Sequence, residues 1–147
     1  FIMKLSNKGR YAVMAMADLA KTSSSSPINL TEISTRQGIS ISFLEQIFLK
    51  LKRKNLVESS RGPTGGYMLS KAPEKIKLSS IINAVDEKVK TIACKKESKK
   101  GCNGKSIKCI THNLLDDLEK HINSFFEQNT LKDIIYRDNK NYERELN

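Results

Sequence analysis

Residues 31–53 read TEISTRQGISISFLEQIFLKLKR, a stretch with the pattern of two short helices joined by a turn. Thr31 is a residue type that caps helices and Gly38 one that ends them, so a first helix is predicted between these two positions. The second helix is predicted to begin at Ser42, where Ser42 and Glu45 have capping-box spacing. Its apolar residues recur at helical intervals: Phe43, Leu44, Ile47, Phe48 and Leu51. Two such helices separated by a glycine-containing turn indicate a helix-turn-helix.

A β-hairpin is predicted directly after this pair of helices. Leu56 to Ser60 and Tyr67 to Leu69 favour short strands, and residues 61–66, RGPTGG, are a tight-turn sequence. A hairpin that follows the second helix of a helix-turn-helix is the wing of a winged helix. We therefore expect a winged helix-turn-helix domain over residues 3–74.

Helices are expected on both sides of this unit. Apolar spacing predicts one helix over residues 8–21, a connecting helix over 78–89 and a long helix over 112–128. Thr130 and Asp133 have the spacing that caps a last short helix, predicted to end at Tyr136. The fold class is thus mainly α with a small β wing.

The remaining divisions follow from these helices. We expect a connecting segment over 75–90, a loop over 91–111, a dimerisation unit over 112–136 and a disordered tail over 137–147. The long helix carries a broad apolar stripe, and a small chain with 38% hydrophobic residues often completes its core by forming a homodimer.

The positive charge is concentrated in the first half of the chain. The whole sequence has a formal net charge of +10, and residues 1–73 contain eleven basic and four acidic side chains, a net charge of +7. Such a field favours a polyanionic partner, although a general excess of lysine for solubility is an equally good explanation of the charge alone. Together with the helix-turn-helix, it predicts binding to double-stranded DNA.

The second helix of a helix-turn-helix places its first residues in the major groove. Serine, glutamine, glutamate and phenylalanine can each contact base edges, although capping and packing are competing roles for these residues. An arginine at a wing tip fits a narrow minor groove, and cations at the start of the first helix can meet phosphates. The candidate DNA-binding residues are Lys8, Arg10, Ser40, Ser42, Phe43, Glu45, Gln46 and Arg61.

All three cysteines lie in one short segment that is rich in lysine. Cys94, Cys102 and Cys109 are followed by His112, and three thiols with one imidazole form a soft ligand set for a metal. A structural zinc site accepts this set but usually has closely spaced cysteine pairs, which are absent. An iron–sulfur cluster suits the longer spacings. Both alternatives remain open on spacing alone.

No secretory signal and no apolar run long enough to span a bilayer is recognised. We therefore expect a cytoplasmic protein with reduced thiols and no membrane association. We also expect no enzymatic activity, because the sequence has no Cys-x-x-Cys motif, nucleophile triad or phosphate-binding glycine loop.

Several motifs together resemble one family, the Rrf2-type winged-helix transcription regulators, and within it the iron–sulfur cluster assembly regulators. The resemblance covers roughly residues 3–136. It is carried by KLSNKGRYAV at 4–13, RQGIS at 36–40, LEQ at 44–46, RGP at 61–63, GGY at 65–67, AVDE at 84–87, and the pair Cys109 and His112.

The resemblance implies a homodimer on a pseudo-palindromic operator, with the long helix as the dimer interface. It implies a 2Fe–2S cluster on Cys94, Cys102, Cys109 and His112, which makes residues 91–111 a cluster-binding loop. The cluster-bound form then represses cluster-assembly genes. The cluster-free form can still bind a second class of site, where the glutamate at 45 discriminates against sites meant for the cluster-bound form.

The resemblance also implies roles for individual residues in DNA binding. Ser40, Ser42 and Glu45 are expected to meet base edges, and Arg61 to enter the minor groove. A related nitric-oxide-sensing branch has an acidic ligand near its N-terminus, where this chain has Gly9 and Arg10. The presence of His112 also argues against that branch.

Overall fold

The computed structural model describes residues 7–22, 26–85 and 110–146. These residues form a mainly helical structure with one antiparallel hairpin, as predicted. The elements in chain order are α1 (Asn7–Thr22), α2 (Leu30–Gln37), α3 (Ile41–Arg53), β1 (Val57–Ser60), β2 (Gly66–Leu69), α4 (Leu78–Ala84), α5 (His112–Gln128) and α6 (Leu131–Leu146). A single 3-10 turn, Pro73–Lys75, precedes α4.

The helix-turn-helix consists of α2 and α3, but both helices have caps other than those predicted. The side chain of Asn29, not Thr31, accepts a hydrogen bond of 2.9 Å from the backbone N–H of Glu32 at the start of α2. Ser40, not Ser42, caps α3 by accepting from the N–H of Phe43. The predicted capping box of Ser42 and Glu45 is therefore wrong, because α3 begins one residue before Ser42.

Gly38 ends α2 as predicted. Its φ of 65° lies in the left-handed region, which glycine adopts without the penalty of a Cβ. Its N–H donates to the carbonyl of Ser34 at 2.9 Å. The reversal of the chain here directs buried Ile39 inward and brings Ser40 to the start of α3.

The wing is formed by β1 and β2 as predicted, with strand bounds shifted by one residue. Val57 pairs with Leu69 at one end and Ser60 with Gly66 at the other. A further bridge joins Tyr67 of β2 to Ile28 before α2, with N–H to carbonyl distances of 3.0 and 2.8 Å. The wing is thereby held against the helix-turn-helix as well as within itself.

One apolar core joins the N-terminal helices to the C-terminal part of the chain. Met16 and Leu19 of α1, Phe48 of α3 and Ile81 of α4 are completely buried. Leu131, the first residue of α6, is also fully buried in this core. The backbone adds a link, since the N–H of Leu131 donates to the carbonyl of Ile76 at 3.0 Å.

The C-terminal helix extends further than the sequence indicated. The carboxylate of Asp133 accepts from the N–H of Thr130 at 2.8 Å, which confirms the predicted cap and lowers the pKa of Asp133. However, α6 continues to Leu146, so the predicted end at Tyr136 and the disordered tail are wrong. Two contacts support the longer helix: Lys140 lies over the ring of Tyr136, and Lys21 pairs with Asp138 at 2.7 Å.

Some predictions fall outside the described residues. The connecting helix ends at Ala84 with Val85 as its C-cap, earlier than predicted, and residues 86–89 of its predicted extent lie outside the described part. Cys94, Cys102, Cys109 and nearly all of the predicted loop over 91–111 also lie outside it. Among the described helices, none combines the length and apolarity needed to cross a bilayer.

Candidate nucleic-acid interface

The first turn of α3 presents a row of exposed polar side chains. Ser40, Ser42, Glu45 and Gln46 are all exposed, as a role in reading base edges requires. The hydroxyl of Ser40 accepts the capping hydrogen bond from Phe43, and its own proton remains able to donate. Because Ser40 is the cap, Glu45 is not needed for capping and projects as an exposed carboxylate.

Phe43 differs from its polar neighbours. It is partly buried, and its ring meets the ring of Tyr11 edge-on, with centroids 5.6 Å apart. This contact joins the start of α3 to α1. Its main observed role is thus to position the polar residues around it, a role that the sequence left open beside a base contact.

The predicted cations on α1, and Lys52 near the end of α3, lie at the surface. Lys8 and Arg10 are exposed in the first turns of α1. At the other end of α3, Lys52 donates a 2.6 Å hydrogen bond to the hydroxyl of Ser59 on β1. This bond connects the end of the helix to the wing.

Arg61 is exposed directly after β1, at the tip of the wing. The turn that follows is tightly built. The N–H of Gly65 donates to the carbonyl of Gly62 at 3.0 Å, and a Cβ on Gly65 would overlap the backbone of Ser60. The tip therefore holds Arg61 on a compact support.

A partly buried ionic network was not anticipated from the sequence. Asp18 of α1 is only 6% exposed and accepts from Arg36 of α2 through Nη2 at 2.7 Å and through Nε at 3.0 and 3.2 Å. Gln37 also donates to Asp18 at 2.7 Å. The hydrogen bond to Asp18 raises the pKa of Arg36. The network fixes α2, and with it the turn into α3, against α1; the available signal was an acidic residue among the buried positions of α1.

The predicted metal ligands are only partly within the described structure. His112 is partly buried and is the first residue of α5. Residues 7–22, 26–85 and 110–146 contain no group of three His, Cys, Asp or Glu side chains arranged to hold a metal. The second histidine, His121, lies 2.8 Å from the carbonyl of Asp117 in its own helix, consistent with an ordinary helix-surface residue.

The long helix α5 has no fully buried residue, although one side of it is apolar. Phe126 packs on the core, whereas Leu114 is 70% exposed, Phe125 45% and Leu118 37%. Ile110, just before the helix, is fully exposed. An apolar row of this length on one helix is typical of an interface.

A helix-turn-helix with exposed polar residues on its second helix, followed by a two-stranded wing, defines a winged-helix DNA-binding protein. Comparison of the chain with models of known protein families supports this class. The family model Rrf2, described as an iron-dependent transcriptional regulator, matches residues 5–137. The chain belongs to the Rrf2 family of transcription regulators, which are not enzymes.

Individual relatives and solved structures are similar over most of their lengths. The HTH-type transcriptional regulators IscR of Yersinia pseudotuberculosis and of Erwinia tasmaniensis are each 47% identical over 133 residues, 90% of this chain and 79% of the relative. The structure of T. potens IscR has a TM-score of 0.72 and 32% identity, covering 92% of this chain and 88% of that one. CymR, the global cysteine regulator of B. subtilis, has a TM-score of 0.76 and 26% identity, covering 92% and 98%.

Proposed function

We propose that this protein is a homodimeric regulator that adjusts its binding to operator DNA according to the supply of iron–sulfur clusters, and that it controls genes for cluster assembly. The observation that carries the proposal is the position of His112. It begins α5, three residues after Cys109, on the helix whose apolar side is exposed. One segment thus connects the proposed ligands to the proposed dimer face. The IscR relatives at 47% identity support the same function, and a DNA-binding regulator of this kind would act in the bacterial cytoplasm.

The chemistry of the donor set fits an iron–sulfur cluster. Cys94, Cys102 and Cys109 would hold a 2Fe–2S cluster through their thiolates, and His112 through a neutral imidazole nitrogen. When bound, the cluster would supply a redox-active and oxidant-sensitive group. Because His112 lies in the first turn of α5, fixing its side chain also fixes the start of that helix.

The dimer is proposed to form along α5, where Leu114, Leu118 and Phe125 are exposed. Two copies related by a two-fold axis would place two α3 helices on successive turns of a pseudo-palindromic operator. The orientation of α5 then determines how far apart the two α3 helices lie. Binding of His112 to the cluster would therefore change the affinity of the dimer for DNA.

Loss of the cluster should follow loss of a ligand. In anaerobically purified protein we expect iron, acid-labile sulfide and visible absorption, all strongly reduced by Cys102→Ala and by His112→Ala. The matched control is His121→Ala, because a ring nitrogen of His121 lies 2.8 Å from the carbonyl of Asp117 in its own helix. Colourless wild-type protein that contains zinc and no sulfide would refute the cluster and support the zinc alternative.

Glu45 should determine base preference at one position of the operator. Its carboxylate is exposed in the first turns of α3 and can accept from a cytosine amino group. We expect Glu45→Ala to reduce discrimination at a single base pair by about 1–3 kcal/mol, measured by titrating a panel of single-substitution operators. Glu74→Ala, which removes an exposed acid outside the helix-turn-helix, should leave the affinity for every operator in the panel unchanged. An equal loss of affinity for every operator would show that Glu45 does not read bases.

Arg61 should contribute binding through the minor groove. At the wing tip its guanidinium would enter a narrow groove, where lysine is a poorer fit. We expect Arg61→Ala to weaken operator binding by about 1–3 kcal/mol and to lower the salt slope by about one. The control is Lys71→Ala, an exposed cation just after β2. If Arg61→Ala binds like wild type at every salt concentration, the minor-groove role is wrong.

A further inference from the structure

The C-terminal helix α6 consists of two halves with different surroundings. In the first half, Leu131 is fully buried, Ile134 is partly buried, and Asp138 pairs with Lys21 at 2.7 Å. In the second half, residues 139–146 are all exposed. An isolated helix of this length is marginal in water, so the second half gains stability when another surface covers it.

The second half of α6 nevertheless keeps an ordered pattern of side chains. Tyr142 and Leu146 are 65% and 69% exposed and lie on one face of the helix, one turn apart. At 100° per residue, Glu143 borders this face on one side and Glu145 on the other, whereas Lys140 and Arg144 lie on the far side of the helix. We refer to Tyr142, Glu143, Glu145 and Leu146 as the α6 tip. It is an apolar surface with acidic borders.

A surface of opposite character lies at the end of α3. Leu49 is 50% exposed, which is unusual among the otherwise buried apolar residues of the second half of this helix. Lys52 and Arg53 follow one turn later and are exposed. Lys52 keeps its charge at the surface while it donates to Ser59 at 2.6 Å. Leu49, Lys52 and Arg53 thus form an apolar surface with basic borders.

We infer that the α6 tip docks on Leu49, Lys52 and Arg53 of a second copy of this chain. Pairing of two α6 tips would bring acidic borders against acidic borders, which is unfavourable, whereas the α3 surface offers the opposite charge. Both surfaces are exposed in the single chain. Leu131 and Ile134 hold the first half of α6 in the core of its own chain, where Leu49, Lys52 and Arg53 stay exposed, so the contact joins two chains.

This interface is additional to the proposed dimer face on α5 and does not require the cluster. Around a two-fold axis it would occur twice, since each copy carries both surfaces. The family match ends at residue 137, before the tip begins.

Site-specific photo-crosslinking tests this contact in the full-length protein. A photoreactive phenylalanine analogue replaces Tyr142, the sample is irradiated, and the products are separated on a denaturing gel and mapped by mass spectrometry. We expect a product of twice the chain mass in which residue 142 is joined to the peptide that contains Leu49. A product confined to the single-chain mass, or an adduct outside α3, would overturn the inference.

Charge reversal provides the matched pair of variants. Glu143→Lys with Glu145→Lys changes the borders of the tip, and we expect it to lower the yield of the double-mass product by about tenfold or more. Adding Lys52→Glu and Arg53→Glu to that variant should restore the yield. Lys140→Glu with Arg144→Glu changes as many charges on the far side of the same helix and should leave the yield unchanged. Equal losses from both reversals would exclude the proposed orientation.

Discussion

Replacing Gly66 by alanine is expected to detach the wing and to lower the free energy of unfolding by about 3 kcal/mol or more. Gly66 has a φ of 155°, which side chains rarely adopt. A Cβ at this position would overlap the carbonyl group of Ile28 and lie 2.8 Å from the backbone nitrogen of Asn29. All three atoms belong to the backbone beside the bridge that binds β2 to the helix-turn-helix, so none of them can move at low energetic cost.

The consequences of Gly66→Ala should extend beyond the hairpin. Tyr67, the next residue, packs on the ring of Phe48 with centroids 4.8 Å apart, and Phe48 is completely buried in the core. Displacement of β2 therefore disturbs the packing of α3 as well as the position of Arg61. We expect urea unfolding to show the stability loss and operator titration to show a loss larger than that of Arg61→Ala.

Gly62→Ala is the matched control for this effect. Gly62 also has a positive φ, 103°, but a Cβ there meets nothing within 4 Å. Gly62→Ala places a side chain at a positive φ, as Gly66→Ala does, but without a steric overlap. It should therefore lower the free energy of unfolding by only about 1–2 kcal/mol. If the two glycine variants unfold at the same urea concentration, the close approach to Ile28 does not matter for stability.

The sequence predicted the elements of the winged helix well because their signals are local. Gly38, the apolar spacing of α3 and the glycines of the hairpin turn each act within a few residues. The caps were misassigned because two suitable residues stood close together. Asn29 lies two residues before Thr31 and Ser40 two before Ser42, and in each case the earlier residue accepts the capping hydrogen bond.

The end of α6 was mispredicted because its sequence is polar. Residues 137–146 contain good helix formers, but a helix there also depends on contacts with other parts of the molecule. The ion pair between Lys21 and Asp138 joins residues 117 positions apart. Apolar spacing contains no information about such a contact.

The candidate DNA-binding residues could be predicted because they are exposed side chains on helices and strands that the sequence itself indicates. Ser40, Glu45 and Arg61 lie where a winged helix places them, although their contacts with DNA remain predictions. The support of the site was not predictable, because Asp18 and Arg36 belong to different helices. Cys94, Cys102 and Cys109 lie outside the described residues, so their proposed role as ligands depends on the sequence and on the family resemblance.

Removing the carboxylate of Asp18 should be the most damaging substitution at an ionic site that supports the helix-turn-helix. Breaking a buried ion pair usually costs about 3–5 kcal/mol, because the remaining charge loses its partner. The Asp18 side chain is 3% exposed, but the Arg36 side chain is 38% exposed and water can solvate part of it. We therefore expect Asp18→Ala to lower the free energy of unfolding by about 2–3 kcal/mol, measured by urea denaturation.

Asp18→Ala should also weaken the binding of operator DNA. Without the bonds from Arg36 and Gln37, α2 is free to shift on α1, and the turn at Gly38 transmits that shift to α3. Operator affinity should therefore fall in Asp18→Ala even at temperatures where circular dichroism shows a fully folded protein. Asp18→Asn, which keeps a hydrogen-bond acceptor and the shape of the side chain, should fall between wild type and Asp18→Ala.

Asp138→Ala distinguishes this network from an ordinary surface ion pair. Asp138 pairs with Lys21 at the same distance of 2.7 Å at which Asp18 meets Arg36, but its side chain is 62% exposed. Exposed pairs contribute about 0–1 kcal/mol, so Asp138→Ala should change stability little and operator affinity not at all. Equal effects of the two alanine variants would mean that burial adds nothing at Asp18. The orientation of α2 would then have to depend on apolar packing alone.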